Sequence, residues 1–178
     1  MSRTMRLISI AAVMTMFLIG MVIDHAVRRT SGTEVILDLQ PVDPRDLLAG
    51  YYIVVSTPLH RLSLEELAGG DVFAVSDDIY VVVAESENGS WQPISIHRSR
   101  PDDGLYIHGK VQRATETDIR AEYNLERFYA DEDTAQALEQ RRREDVSSMR
   151  LILSVGADGR ALIRGIEIDG ERQIVELF

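Results

Sequence analysis

Two histidines, His97 and His108, sit in the alternating stretches "WQPISIHR" (91–98) and "LYIHGKVQ" (105–112). Pairing these as a hairpin, with the turn near Pro101–Asp103, points Ile94 and Ile96 inward on one strand. Leu105, Ile107, Gly109 and Val111 then point inward on the other. Both imidazoles fall on the outer face, as candidate cross-strand neighbours. Two imidazoles can begin a metal site, but a third ligand is usual, and neither His25 nor His60 obviously joins them. A pair of exposed polar side chains is the simpler explanation.

Nucleophilic catalysis finds little to work with. A serine–lysine mechanism needs a hydroxyl and an amine in hydrogen-bonding reach. Lys110 is the sole lysine, and Ser31 sits in a polar stretch without suitable flanks. The absence of cysteine excludes thiolate nucleophiles, thiolate metal sites and disulfides. Asp77-Asp78, Asp102-Asp103 and Asp131-Glu132-Asp133 read as solvated turns and a helix start, and no spacing selects a glycosidase pair. There is no phosphate-cradling glycine loop and no calcium-loop spacing, so no cofactor is expected.

Charge narrows the partners. The whole chain carries −10 and residues 1–29 carry +3, which leaves −13 on residues 30–178. So acidic a body repels phosphate backbones, and nucleic acid is not an expected partner.

The elements that must position any site begin with an apolar run, residues 7–23, "LISIAAVMTMFLIGMVI". It has no charge and spans about 26 Å as a helix, near the lower limit for crossing a bilayer. A cleaved signal peptide competes with this reading, but "GMVIDHAVRRT" offers no clear A-x-A pattern. Residues 1–29 are therefore expected to be a membrane anchor and the start of a linker, residues 24–33. Arginines flank both ends almost equally, so charge alone does not orient the helix. A signal-anchor with a short leading segment exports the chain on its carboxyl side. Insertion is then expected to be single-pass, with residues 30–178 extracytoplasmic; for a Gram-negative bacterial source that is the inner (cytoplasmic) membrane and the periplasm.

The body reads as strands at short intervals. "EVILDLQ" (34–40), "YYIVVST" (51–57), "VFAV" (72–75), "IYVVVAE" (79–85) and the two histidine stretches come first. In "DIRAEYNLERFYA" (118–130), Ile119, Ala121, Tyr123 and Leu125 share a face. Two more strands meet at Ala157-Asp158-Gly159, and a last short one comes after Asp169-Gly170. "SLEELAGGD" (63–71) suggests a helical turn and "DEDTAQALEQRRRED" (131–145) a surface helix. The expected fold is mostly β: an N-terminal transmembrane helix, then an antiparallel β-sandwich or barrel-like domain with one or two short helices.

The order of these features resembles the GDYXXLXY proteins: one membrane helix, a strand, "VDPRDLLAGYYIVVS", "ISIHRSRPDDGLYIHGKV", "ERFYADED" and "ADGRALIRGIEIDG". "DPRDLLAG" (43–50) and Tyr52 match well. Tyr51 stands where the family has aspartate, Val55 where it has leucine and Thr57 where it has the second tyrosine. The resemblance implies placement and fold, carries no activity with it, and makes Arg45, Asp46, Gly50 and Tyr52 the candidate binding positions. A binding cleft would gather them with Arg98 and Arg100. It also implies a multi-pass membrane protein as assembly partner. The leading expectation is a non-enzymatic binding or assembly protein anchored in the envelope. An envelope hydrolase and a small-ligand or metal-binding module are the alternatives.

Overall fold

The computed structural model describes residues 3–40, 52–69, 72–129 and 149–174. Helix α1 (Arg3–Ser31) opens the chain, and its span Thr4–Asp24 is wholly exposed to the surroundings of the domain. Twenty-one residues rise about 32 Å, which matches a hydrocarbon core. The segment expected as a linker, 24–33, is helical as far as Ser31, whose hydroxyl donates to the Val27 carbonyl at 2.7 Å. Gly32 alone separates α1 from the first strand. A β-carbon on Gly32 would meet the Ser154 hydroxyl and the Val155 carbonyl, the latter at 2.8 Å. The helix end is therefore pressed against the domain.

Among the described residues, eleven strands form three antiparallel sheets. β1 (Thr33–Asp38), β9 (Met149–Val155), β10 (Ala161–Ile168) and β11 (Glu171–Ile174) make one in the order β1-β9-β10-β11. β2 (Tyr52–Val54) pairs with β8 (Arg127–Tyr129). The third contains β3 (Arg61–Ser63), β4 (Asp78–Glu85), β5 (Trp91–His97), β6 (Leu105–Ala114) and β7 (Asp118–Glu122), in the order β3-β7-β6-β4-β5. The inner faces share one core. Val35, Leu37, Leu151 and Leu153 supply it from the first sheet, and Ile79, Val81, Ile96, Ile107 and Val111 from the third. Period-two alternation produces this: Ile119, Ala121, Tyr123 and Leu125 are all buried, as expected for that stretch.

The outer face of the first sheet carries a transverse ladder of alternating charge. Register sets Asp38 opposite Arg150, Arg150 opposite Glu167, and Glu167 opposite Arg172. Arg150 donates to Asp38 at 3.1 Å and lies 3.6 Å from Glu167. Arg172 donates to Glu167 at 3.1 Å and to Glu34 at 2.9 Å, and Arg164 donates to Glu34 at 3.0 Å. Glu34 holds the Arg172 proton more tightly than usual.

Several elements depart from expectation. β4 lies between β5 and β6, so residues 91–112 do not form a hairpin. Ile94 points outward, 49% exposed, because a register shift between Val82 and Val83 leaves it unpaired as a bulge. "VFAV" is no strand, although Phe73 is buried. In the 63–71 stretch, Leu64–Glu66 form only a turn after β3, and a short 3-10 helix (Pro58–His60) precedes it. In the turn joining β4 to β5, Gly89 has positive φ and Asn88 does not; the Asn88 side chain instead accepts the Ser90 amide at 3.0 Å. The expected helix at 131–145 lies outside the described residues.

Candidate functional site

Both β5 and β6 run antiparallel to β4, so they are parallel to each other and need a crossover rather than a turn. Residues 98–104 make that crossover over the outer face of β4, where a β-carbon on Gly104 would lie 3.1 Å from Val82. This path carries Arg100 onto Tyr106. The guanidinium carbon is 5.5 Å from the ring centroid, within cation–π range. Arg100 also donates to the Ala157 carbonyl at 3.1 Å, and the Tyr106 hydroxyl donates to that same oxygen at 3.1 Å.

The turn between β9 and β10 closes the other side. The His108 amide donates to the Gly159 carbonyl at 2.8 Å, which docks this turn on the edge of β6. Gly159 has φ +77°, and a β-carbon there would fall 2.3 Å from the Tyr106 ring. Only glycine meets both demands without strain. Between crossover and turn lies an open cleft of about 610 Å³. Arg100, Pro101, Asp102, Leu105, Tyr106 and Ala157 contribute to its walls, a mixture of charge, apolar surface and backbone.

The arginine pair expected to act together divides. Arg98 reaches away and donates to Asp77 at 2.8 Å, whereas Arg100 lines the cleft. Tyr52 begins β2, with its backbone in register with Tyr129. Arg45, Asp46 and Gly50 lie outside the described residues. Val55 and Thr57, where the family motif has leucine and tyrosine, are both buried, at 3% and 0% exposed.

The histidines are not neighbours. Tyr80 stands opposite His97 on one side and His108 on the other, so a whole strand intervenes. The His108 ring stacks on Tyr80 at 4.6 Å and its Nε2 contacts Asp78 at 3.0 Å. His97 Nε2 contacts the Ser95 hydroxyl at 3.0 Å. Among the described residues, no group of three or more potential ligands could hold a metal ion. Tyr80 and Tyr106, edge to face at 5.8 Å, complete the outer aromatic surface. The alternation of "LYIHGK" could have placed Tyr106 beside His108; nothing local revealed the crossover above them.

A second polar cluster, also not anticipated, lies inside. His60 Nδ1 accepts the Thr57 amide at 3.1 Å and lies 3.0 Å from the Thr57 hydroxyl. Its Nε2 faces Glu126 at 3.6 Å. Tyr123 meets the His60 ring edge-on and donates its hydroxyl to the Leu59 carbonyl at 3.0 Å. Burial pushes the Tyr123 phenol well above its usual range, and the Glu126 charge adds to this. Hydroxyl, imidazole and carboxylate in series suggest a hydrolase triad. Here the hydroxyl is fully buried, and the Thr57 backbone already occupies the nitrogen that would act as base. The arrangement ties the 3-10 turn to the corner between β7 and β8.

The molecule is a β-rich domain carried on an apolar amino-terminal helix long enough to span a bilayer. Residues 14–166 match the family model described as GDYXXLXY protein, and the chain belongs to that family. The match begins within α1 and ends in β10, so it takes in the larger part of the helix and most of the domain. No curated protein and no solved structure matches the chain.

Proposed function

We propose that this protein is a single-pass, non-enzymatic membrane-anchored binding protein. Its β-domain lies on the extracytoplasmic face of a bacterial inner membrane and assembles with another membrane protein. One observation carries the reading: α1 is apolar and exposed along its whole candidate span, then runs into β1 with only Gly32 between. An exposed apolar surface of this length needs lipid or a partner to cover it. The domain it holds offers the Arg100 cleft and, beside it, the half-buried rings of Tyr80 and His108 stacked next to the buried Tyr106.

The test is purification of the tagged full-length chain in a mild detergent after crosslinking in membranes. A stoichiometric integral membrane protein should co-purify. A clean monomer under these conditions, or protease protection that places residue 174 in the cytoplasm, overturns the reading.

A further inference from the structure

The described arginines of the domain are mostly neutralised by acids: Arg98 by Asp77, Arg150 by Asp38, Arg164 and Arg172 by Glu34. Arg100 is held differently. A carbonyl and an aromatic face fix it, and among the described residues it has no carboxylate partner. Its guanidinium is thus oriented without being neutralised. An oriented planar fork loses less freedom on pairing than a mobile lysine and presents parallel N–H donors to two oxygens.

We propose that the cleft binds a carboxylate, specifically the free carboxylate end of a short peptide-like ligand, with Arg100 as its anchor. The chemistry of the walls selects the class. Asp102 lines the same cleft, and residues 30–178 carry −13, so a multiply charged anion such as phosphate is repelled. A single carboxylate flanked by amine or amide donors satisfies Arg100 and Asp102 together. Pro101 and Leu105 supply an apolar strip for a side chain, and exposed backbone at Gly104 and Gly156 lets a ligand main chain approach. The volume, about 610 Å³, suits a ligand of this size. Tyr106 is a positioning residue: it fixes the guanidinium from below and shares the Ala157 oxygen with it.

This inference rests on the reading of the domain as a binding module and names its ligand chemistry. It is tested with the full-length chain in detergent micelles by saturation-transfer difference NMR. The probes are leucyl-alanine, its carboxamide, and inorganic phosphate as a competitor. The free acid should give signal, the carboxamide should bind roughly tenfold more weakly or worse, and phosphate should not compete. Arg100→Gln should abolish the preference for the acid. Arg98→Gln, outside the cleft, should leave it unchanged. Equal binding of acid and amide, no binding of either, or displacement by phosphate overturns the proposal, and none of these readouts depends on a variant folding. A membrane partner that still co-purifies with the Arg100→Gln chain, while the dipeptide preference is lost, separates ligand binding from assembly.

Discussion

Nε2 of His60 lies 3.6 Å from Oε1 of Glu126, beyond hydrogen-bonding distance but close enough for the dipole of a ring N–H to favour the carboxylate. Because Nδ1 accepts the Thr57 amide, the neutral ring must carry its proton on Nε2, facing the carboxylate. Burial opposes the charge on Glu126. The His60 ring and the amides of Tyr123 and Glu126 itself outweigh it, holding the carboxyl down to about 2.

That depression gives the first prediction. A carboxylate held below its unfolded value of about 4.5 stabilises the fold in full above that pH. The contribution fades as pH falls toward about 2. Glu126→Gln should therefore be less stable than the parent at pH 7, and the two should converge on acidification. Urea titrations between pH 7 and pH 3 measure this; a gap that stays constant with pH removes Glu126 as the source.

The charge ladder predicts a contrast between two acids. Glu167 bridges Arg150 and Arg172 with its side chain only 11% exposed. Removing it breaks the ladder in the middle, leaving Arg150 with Asp38 alone and Arg172 with Glu34 alone, and Glu167→Ala should cost about 1–3 kcal/mol. Asp158 faces Arg160 at 3.9 Å in an open turn, and its ion pair should contribute less than about 0.5 kcal/mol. Paired denaturation curves with unchanged m-values would show the difference. Equal effects would mean that the ladder adds nothing beyond a surface pair.

Gly159 supports the cleft by being small. Gly159→Ala forces a positive φ on alanine and drives a methyl into the Tyr106 ring. The combined cost should be about 2–4 kcal/mol. A drop in melting temperature with altered near-ultraviolet tyrosine dichroism is the expected signature, and an unperturbed Tyr106 would contradict this packing.

Local pattern made the strand faces readable. Alternation placed Ile107, Gly109 and Val111 inside, and "GADG" marked the turn that borders the cleft. Strand order was not readable, because turn chemistry is local while the pairing of β4 with both β5 and β6 is decided across the sheet. The "SRPDDG" stretch has the composition of a hairpin turn and is instead a crossover, and that one difference separates His97 from His108 and creates the Arg100 site. The polar residues at 24–33 gave the appearance of a linker, yet arginine and alanine are good helix formers and the helix continues until Gly32 meets β9. The His60 cluster was hidden for another reason: its members span Thr57 to Glu126, and no short motif joins them.

The pairing of β1 with β9 also has a consequence for how the chain is made. β1 comes directly after α1, but the Arg150 that faces Asp38 comes 112 residues later. At roughly 5–20 residues per second, about 6–22 seconds of synthesis pass before β1 has its neighbour. Throughout that interval Val35 and Leu37 are tethered beside α1 without the β9 neighbour that later covers one edge of β1, open to pairing with other nascent chains. Closure of the first sheet is thus the late, non-local step of folding, and it brings β9 back to β1, where the domain began.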